Sequence, residues 1–189
     1  MSVVLRPRVD TRLLTLITLM TGIAVFDMLK EFGLKPDIKW ANDVMIDDKK
    51  ISGILAETID TAKGVAVIVG IGINLTSRSF PDEIALTATS MEAETNRMPV
   101  ASEVEAAVLK YLDYWYAVLH EPDGADEIHR NWRQRSSYFA GKEVRVMLDG
   151  HALLGITDGL EANGALRVKG SDGSVSVVHA GDVERLRAL

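Results

Sequence analysis

Apolar residues crowd nearly every position of residues 13–26, LLTLITLMTGIAVF, and the pattern then breaks into short β-like runs. Wound as a helix, Leu13, Leu16, Ile17, Met20, Ile23, Val25, Phe26 and Leu29 face almost every side, which predicts a heavily buried helix continuing to Phe32. Asp10 or Thr11 can cap its start, and Gly33 followed by Pro36 ends it. DIKWA, VMI, ISGILAETI and GVAVIVGIGINL come next, separated at Asp47-Asp48 and at residues 61–64 by turn-like sequence. That spacing predicts a meander of antiparallel strands. Residues 65–71 are apolar without alternation, the pattern of a central strand covered on both faces.

From residue 76 to 99 the pattern dissolves into Ser, Thr, Asp, Glu and one Phe-Pro pair, which predicts a long functional or mobile loop. Ser102 and Glu105 read as a capping box. Behind them Val104, Ala107, Val108, Tyr111, Leu112, Trp115, Val118 and Leu119 outline an amphipathic helix. A shorter helix is expected over residues 125–135, anchored by Ile128 and Trp132. From Gly141 onward VRVML, ALLGITDGL, ALRVK and SVSVVHA alternate as strands, joined at Asp149-Gly150, Asn163-Gly164 and Asp172-Gly173. These dipeptides favour tight hairpins, so a small β-barrel is expected. The division falls between residues 1–138 and residues 139–189.

Composition narrows the classes. Of 189 residues, 47% are hydrophobic and 25% charged, as in ordinary globular proteins. The net charge of −6 offers no basic footprint for nucleic acid. Residues 13–26 would span roughly 21 Å as a helix, short of the ~30 Å hydrocarbon core, so neither a membrane span nor a signal peptide is expected. Cysteine is absent, which removes thiolate chemistry and suits a reducing cytoplasm. The four histidines are scattered without metal-ligand spacing. Trp115 and Trp132, at helical spacing, read as core.

Two stretches carry candidate chemistry. GIGIN, residues 70–74, lacks the third glycine and the following helix of a dinucleotide fingerprint. Its glycines permit close approach of another backbone or a ligand, and Asn74 has an amide edge of the kind that pairs with adenine. In KWANDVMIDDKKISGILAE, residues 39–57, Lys39 and Lys50 sit on strands that the chain folds together. Two ammonium groups in one pocket suit a carboxylate or a phosphate. Asp43 could orient a lysine or help hold a hydrated Mg²⁺. A solvated hairpin with its charges in water is the alternative that spacing alone leaves open.

KWANDVMIDDKKISGILAE followed by GIGINL resembles the biotin protein ligase family, whose usual form reads KWPND, a hairpin, KxxGIL and GxGxN. SVVLRP at the start and GKEVRVML…GITDGLEANGALRVKGSDGSVSVVHAGDV at the end are similar to that family too, so the resemblance runs through the whole chain in order. It implies an α+β fold: a mixed, mainly antiparallel sheet flanked by helices, class II synthetase-like, with a C-terminal SH3-like barrel. It also implies ATP-dependent activation of biotin to biotinyl-5′-AMP, ATP arriving with Mg²⁺, and transfer of biotin to a lysine of a biotin carboxyl carrier domain.

By position, the resemblance implies that Lys50 contacts the biotin carboxylate and the adenylate phosphate, and that Lys39 reinforces the phosphate side. Asn42 and Asp43 match the motif's polar pair, with Asp43 orienting or activating the incoming amine. Asn74 matches the residue that holds adenine. Gly53, Ile54, Leu55, Gly70 and Gly72 would line the biotin slot, and Phe80, on the loop that would cover the adenylate, could supply apolar cover. Ala41 replaces the motif's proline. Members of the family also carry, before SVVLRP, a strand and helix with a Ser/Thr-rich motif and a Gly/Arg-rich loop over biotin, and no segment of this chain resembles them. The expectation is half of a site, from a truncated product or a start assigned too late. An incomplete biotin- and nucleotide-binding remnant, or a subunit needing a partner to complete its sheet, is the alternative. No helix-turn-helix is legible, so no nucleic-acid partner is expected, whereas an open sheet edge predicts a homodimer.

Overall fold

The computed structural model describes residues 1–78, 80–148, 151–179 and 182–185, with side chains described up to residue 179. Two five-stranded sheets organise it. In the first the order is β1-β5-β4-β3-β2, built from β1 (Ser2–Leu5), β2 (Asp37–Lys39), β3 (Asp43–Ile46), β4 (Lys49–Thr61) and β5 (Gly64–Ile73). Each neighbouring pair is antiparallel. Asp47 and Asp48 both take positive φ, 48° and 61°, as a two-residue turn matched to strand twist requires. Gly64, at φ 93°, closes the β4–β5 turn.

One face of this sheet is covered by α1 (Leu16–Glu31), in which eleven residues are buried, all but Thr21 and Gly22 of them hydrophobic. Each fully buried large aliphatic side chain contributes about 1.5–3 kcal/mol, so this helix is the centre of the core. Asp10 caps a separate short 3₁₀ turn, Thr11–Leu13, and Gly33 at φ 83° follows the helix end. Behind α1 lie α3 (Ala101–Leu119) and α4 (Gly124–Arg135). Arg135 fastens the three together: its Nε donates to Asp27 Oδ1 at 2.9 Å, and Trp115 Nε1 donates to Asp27 Oδ2 at 3.0 Å. Trp115 and Trp132 are both core residues, as their spacing indicated.

The second sheet has the order β10-β6-β7-β8-β9, from β6 (Ala140–Leu148), β7 (His151–Leu160), β8 (Leu166–Lys169), β9 (Val175–Val178) and β10 (Asp182–Arg185). It forms the SH3-like part. Asp149-Gly150 lies outside the described residues; Gly164 and Gly173 carry the positive φ their turns need.

Three readings of the sequence are corrected, and one strand had not been read at all. β1 pairs along β5, Ser2 opposite Gly70 and Leu5 opposite Val67, although four residues before an Arg-Pro pair give little periodicity to detect. β5 is not evenly covered: Val67, Val69 and Ile71 are buried on one face, whereas on the other Ala66 is buried but Ile68 and Gly70 are only half-buried. The loop after Asn74 contains a short helix, α2 (Met91–Thr95), capped by the Ser90 hydroxyl accepting from Ala93 N–H. The proposed capping box is absent. Val100 occupies the N-cap of α3 without a side-chain bond, and Ser102 is already inside the helix. The expected fold class stands, with every pairing between named strands antiparallel. Among the described residues no helix is long and apolar enough to cross a membrane.

Candidate functional site

Strand register assembles the site. Lys39 lies opposite Asp43, Asp43 opposite Gly53, and Gly53 opposite Gly72, so four strands place these residues in one row on the face away from α1. Lys50 enters the same row by another route. The β3–β4 register shifts between Val44 and Met45, and the Lys50 side chain arches back over Gly53. A Cβ at Gly53 would sit 2.9 Å from both Cε and Nζ of Lys50. Glycine is therefore required there for the ammonium to reach its present position.

Asp43 is the meeting point. Lys50 Nζ stands 2.5 Å from its Oδ1 and Lys39 Nζ 3.7 Å from its Oδ2. The Asp43 and Lys39 side chains are only 13% and 14% exposed, against 46% for Lys50. Oδ1 is buried, and the Lys50 ammonium beside it is its partner among the described residues. Opposite charges at this range attract by about 4 kcal/mol at an effective dielectric of 20, and by about 1 kcal/mol in water. A ligand that excludes water therefore strengthens both contacts. Asp47, Asp48 and Lys49 at the hairpin end are exposed, but Lys39 and Asp43 are withdrawn from solvent and paired.

Beside this cluster is a shallow cavity of about 370 Å³ whose floor is Gly53, Gly70 and Gly72, with Asn42, Lys50 and Leu55 at its rim. Leu55 is 61% exposed. Ile54 also borders the cavity, but its side chain lies on the opposite face of β4: its Cδ1 is 3.8 Å from where a Cβ on Gly22 of α1 would stand. Ile54 therefore meets the cavity without its side chain, because alternation along a strand sends residues 53 and 55 one way and residue 54 the other. Phe80 is half-buried and does not line the cavity; Ile84 and Leu86 are the exposed large aliphatic residues of that loop.

The two asparagines serve the backbone. Asn42 Nδ2 donates to Ile54 O at 2.9 Å while Ile54 N–H donates back to Asn42 O at 2.9 Å, locking the turn before Asp43 onto β4. The Trp40–Ala41 peptide in that turn is cis. Asn74 Nδ2 donates to Lys50 O at 3.2 Å and Thr89 O at 3.0 Å. Both amide hydrogens are used, so bidentate pairing with adenine is corrected: Oδ1 alone is left to offer.

Sequence reasoning missed the segment that fixes Lys50. Lys50 N–H donates to Thr87 O at 2.8 Å and Thr89 N–H donates to Lys50 O at 2.9 Å, a parallel bridge between the start of β4 and the end of the loop. Met91 N–H then donates to Asn74 O. The only local signal was the Ser90 cap, which a loop-like composition conceals. Nearer the start of the loop, Thr76 and then Arg78 hold the Glu92 carboxyl below the usual carboxylate range. No His, Asp or Glu cluster suited to a metal occurs among the described residues. Asp43, engaged by two ammonium groups, is not a vacant metal ligand.

Two family descriptions match this chain: the biotin/lipoate A/B protein ligase family over residues 1–74, and the biotin protein ligase C-terminal domain over residues 139–186. A biotin protein ligase from Aquifex aeolicus, solved in complex with biotin and ATP, superimposes with a TM-score of 0.81 at 29% identity, covering 99% of this chain and 77% of that one. This chain belongs to the biotin protein ligase family. The Mycobacterium tuberculosis biotin–[acetyl-CoA-carboxylase] ligase is 30% identical over 90% of the chain and 62% of its own length. The Bacillus subtilis bifunctional ligase/repressor BirA is 28% identical over 97% of the chain. The chain spans 57% of that protein. Both matched regions of the ligase family thus fall on the two sheets, and the cavity, Lys39, Lys50 and Asp43 all lie inside the first.

Proposed function

We propose that this chain is a biotin protein ligase. It joins biotin to ATP, supplied with Mg²⁺, as biotinyl-5′-AMP and pyrophosphate, and then passes the biotinyl group to a lysine of a biotin carboxyl carrier domain with release of AMP. The observation that carries this reading is the convergence of Lys50 and Lys39 on Asp43 at the rim of a glycine-floored cavity. Biotin is fused rings on an apolar chain ending in a carboxylate. Gly53, Gly70 and Gly72 let the rings approach the sheet, Leu55 covers the chain, and the carboxylate ends at Lys50.

The first step brings two anions together, the biotin carboxylate and the α-phosphate. Fixed positive charge offsets their repulsion, and the charge that develops on phosphorus-bound oxygens is met in place. Lys50 serves both anions and Lys39 the phosphate. Asn42 shapes the turn beneath them, Asn74 Oδ1 accepts from the adenine amino group, and Phe80 with its loop covers the nucleotide. In the second step Asp43 Oδ1, which Lys50 leaves as it turns to the adenylate, orients the incoming amine. Residues 1–138 form the catalytic part and residues 139–189 the barrel. The site of action is the cytoplasm, and no nucleic-acid partner is assigned to these residues. Biotin-dependent exchange of pyrophosphate into ATP tests the reading; a folded, biotin-saturated chain with no exchange rejects it.

Homodimerisation is the second part of the proposal. β1 ends the first sheet, and Val4 on it is 60% exposed beside half-buried Ile68. An apolar edge strand pairs readily with another chain. Sedimentation equilibrium should show a dimer that Val4→Lys converts to monomer; a wild-type monomer at micromolar concentration rejects this pairing.

A further inference from the structure

The C-terminal barrel reaches the site through one hairpin tip. Between β7 and β8, three successive carbonyl oxygens each accept from a different part of the catalytic half. His129 Nε2–H of α4 donates to Ala162 O at 3.0 Å, Thr15 Oγ1–H ahead of α1 donates to Asn163 O at 2.6 Å, and Trp40 Nε1–H donates to Gly164 O at 2.9 Å. The tip is rigid in itself: Glu161 N–H donates to Ala165 O, Gly164 N–H to Glu161 O, and Ala165 N–H to Asn163 Oδ1. It also fits tightly. A Cβ at Gly164 would lie 2.8 Å from Leu19 Cδ1 and 3.3 Å from Leu16 Cδ2, at a φ of +82° that disfavours other residues.

Trp40 is 3% exposed, and the site turn begins at the next residue. Besides the Lys39–Asp43 pairing that closes it, that turn is held by the Trp40 indole against the barrel and by Asn42 against Ile54 of β4. Asp43 follows directly. On its other side, β2 is tied to the residues that lead into the barrel. Ser136 Oγ–H donates to Ile38 O at 2.6 Å, and Ser137 N–H donates to Asp37 Oδ1 at 2.7 Å. The strand that carries Lys39 is thus bracketed by C-terminal contacts.

We propose that the Ala162–Gly164 tip is a positioning element of the site, acting through Trp40 to set the Asp43 carboxylate between Lys39 and Lys50. The inference rests on the ligase reading for its catalytic consequence but not for its structural one. The tip acts at one remove, since among the described residues none of the barrel lines the cavity.

Trp40→Phe keeps the ring in the core and removes only the N–H donor. In the full chain, hydrogen exchange of the Asn42, Asp43 and Ile54 amides should accelerate about tenfold with the thermal midpoint almost unmoved, since a lost local bond opens its own segment before the whole fold. Biotin-dependent pyrophosphate exchange should lose about tenfold in kcat with the KM for biotin within about twofold, the split expected when reacting groups, rather than ligand contacts, are displaced. Gly164→Ala, which disturbs the tip from the barrel side, should give the same amide pattern, and the double variant should add little to either. Unchanged protection at residues 42, 43 and 54 in both variants overturns the proposal whatever the activity does. Absence of exchange activity in the unaltered chain counts against the ligase reading alone.

Discussion

Lys50→Ala should lower biotin-dependent pyrophosphate exchange by about 10²–10³-fold, the range found when one fixed donor to developing negative charge is removed. The size of this loss follows from what the side chain has to do. Its Nζ stands 2.5 Å from Asp43 Oδ1 and is the most exposed of the three charged groups, so it is the one that can turn toward a ligand. Both its backbone groups are tied, to Thr87 and to Thr89 and Asn74, so the strand does not move when the side chain is cut. The effect therefore falls on charge, not on fold. Lys49→Ala is the control. It removes the same charge one position away, at an exposed residue opposite Ile46, and should leave exchange within about twofold of the unaltered chain, as surface substitutions usually do. Measured side by side with biotin and ATP in excess, equal losses in the two variants would mean that only net charge matters and would remove Lys50 from the mechanism.

The elements that the sequence revealed are those whose determinants are local. Asp47-Asp48, Asn163-Gly164 and Asp172-Gly173 each specify their own turn through residues tolerant of positive φ. Residues 13–29 announce a buried helix because no polar stripe interrupts them. The convergence of Lys39 and Lys50 was legible because a hairpin between them brings positions eleven apart onto neighbouring strands. What escaped depends on partners far along the chain. β1 is four residues whose pairing with β5 is visible only in three dimensions. The parallel bridge of Lys50 to Ala88 spans 38 positions and uses backbone groups, which every residue has. Val100, with no capping side chain, starts α3 because packing of Val104 and Val108 outweighs a cap worth about 1 kcal/mol. Ile54 borders the cavity as expected, but not with its side chain. A motif quoted as a string hides the alternation of a strand, and Gly53-Ile54-Leu55 puts its middle side chain under α1.

The same alternation explains why one sheet can serve two ends. On the helix face of β4 and β5, Ile54, Val67, Val69 and Ile71 hold the core. On the other face three glycines leave the floor of the shallow cavity bare of side chains, and the row ends in Asp43 and two lysines. Stability and chemistry are thus carried by opposite faces of the same strands, and substitutions at the glycine floor should alter binding with little effect on the core.

Asp43→Asn separates the two half-reactions. Asparagine keeps the shape of the side chain but holds neither ammonium electrostatically and cannot act as a base. Exchange, which needs Lys50 and Lys39 as charges, should fall only about tenfold, because both lysines are retained and lose an anchor, not their charge. Transfer should fall much further, by about 10²–10⁴-fold, the usual contribution of a positioned base. When Lys50 turns toward a bound anion, Asp43 Oδ1 is released, and on the proposed reading a lysine amine arriving from a carrier domain takes its place, is aligned there and loses its proton. A single-turnover experiment decides between this and a purely supporting role. Purified biotinyl-5′-AMP is bound to each protein, an apo carrier domain is added, and biotinylation is timed against the exchange rate of the same preparation. If transfer and exchange decline together, Asp43 acts only by holding Lys50 in place, and the base must be sought elsewhere. If transfer alone collapses, the carboxylate between the two lysines is the group that receives the acceptor.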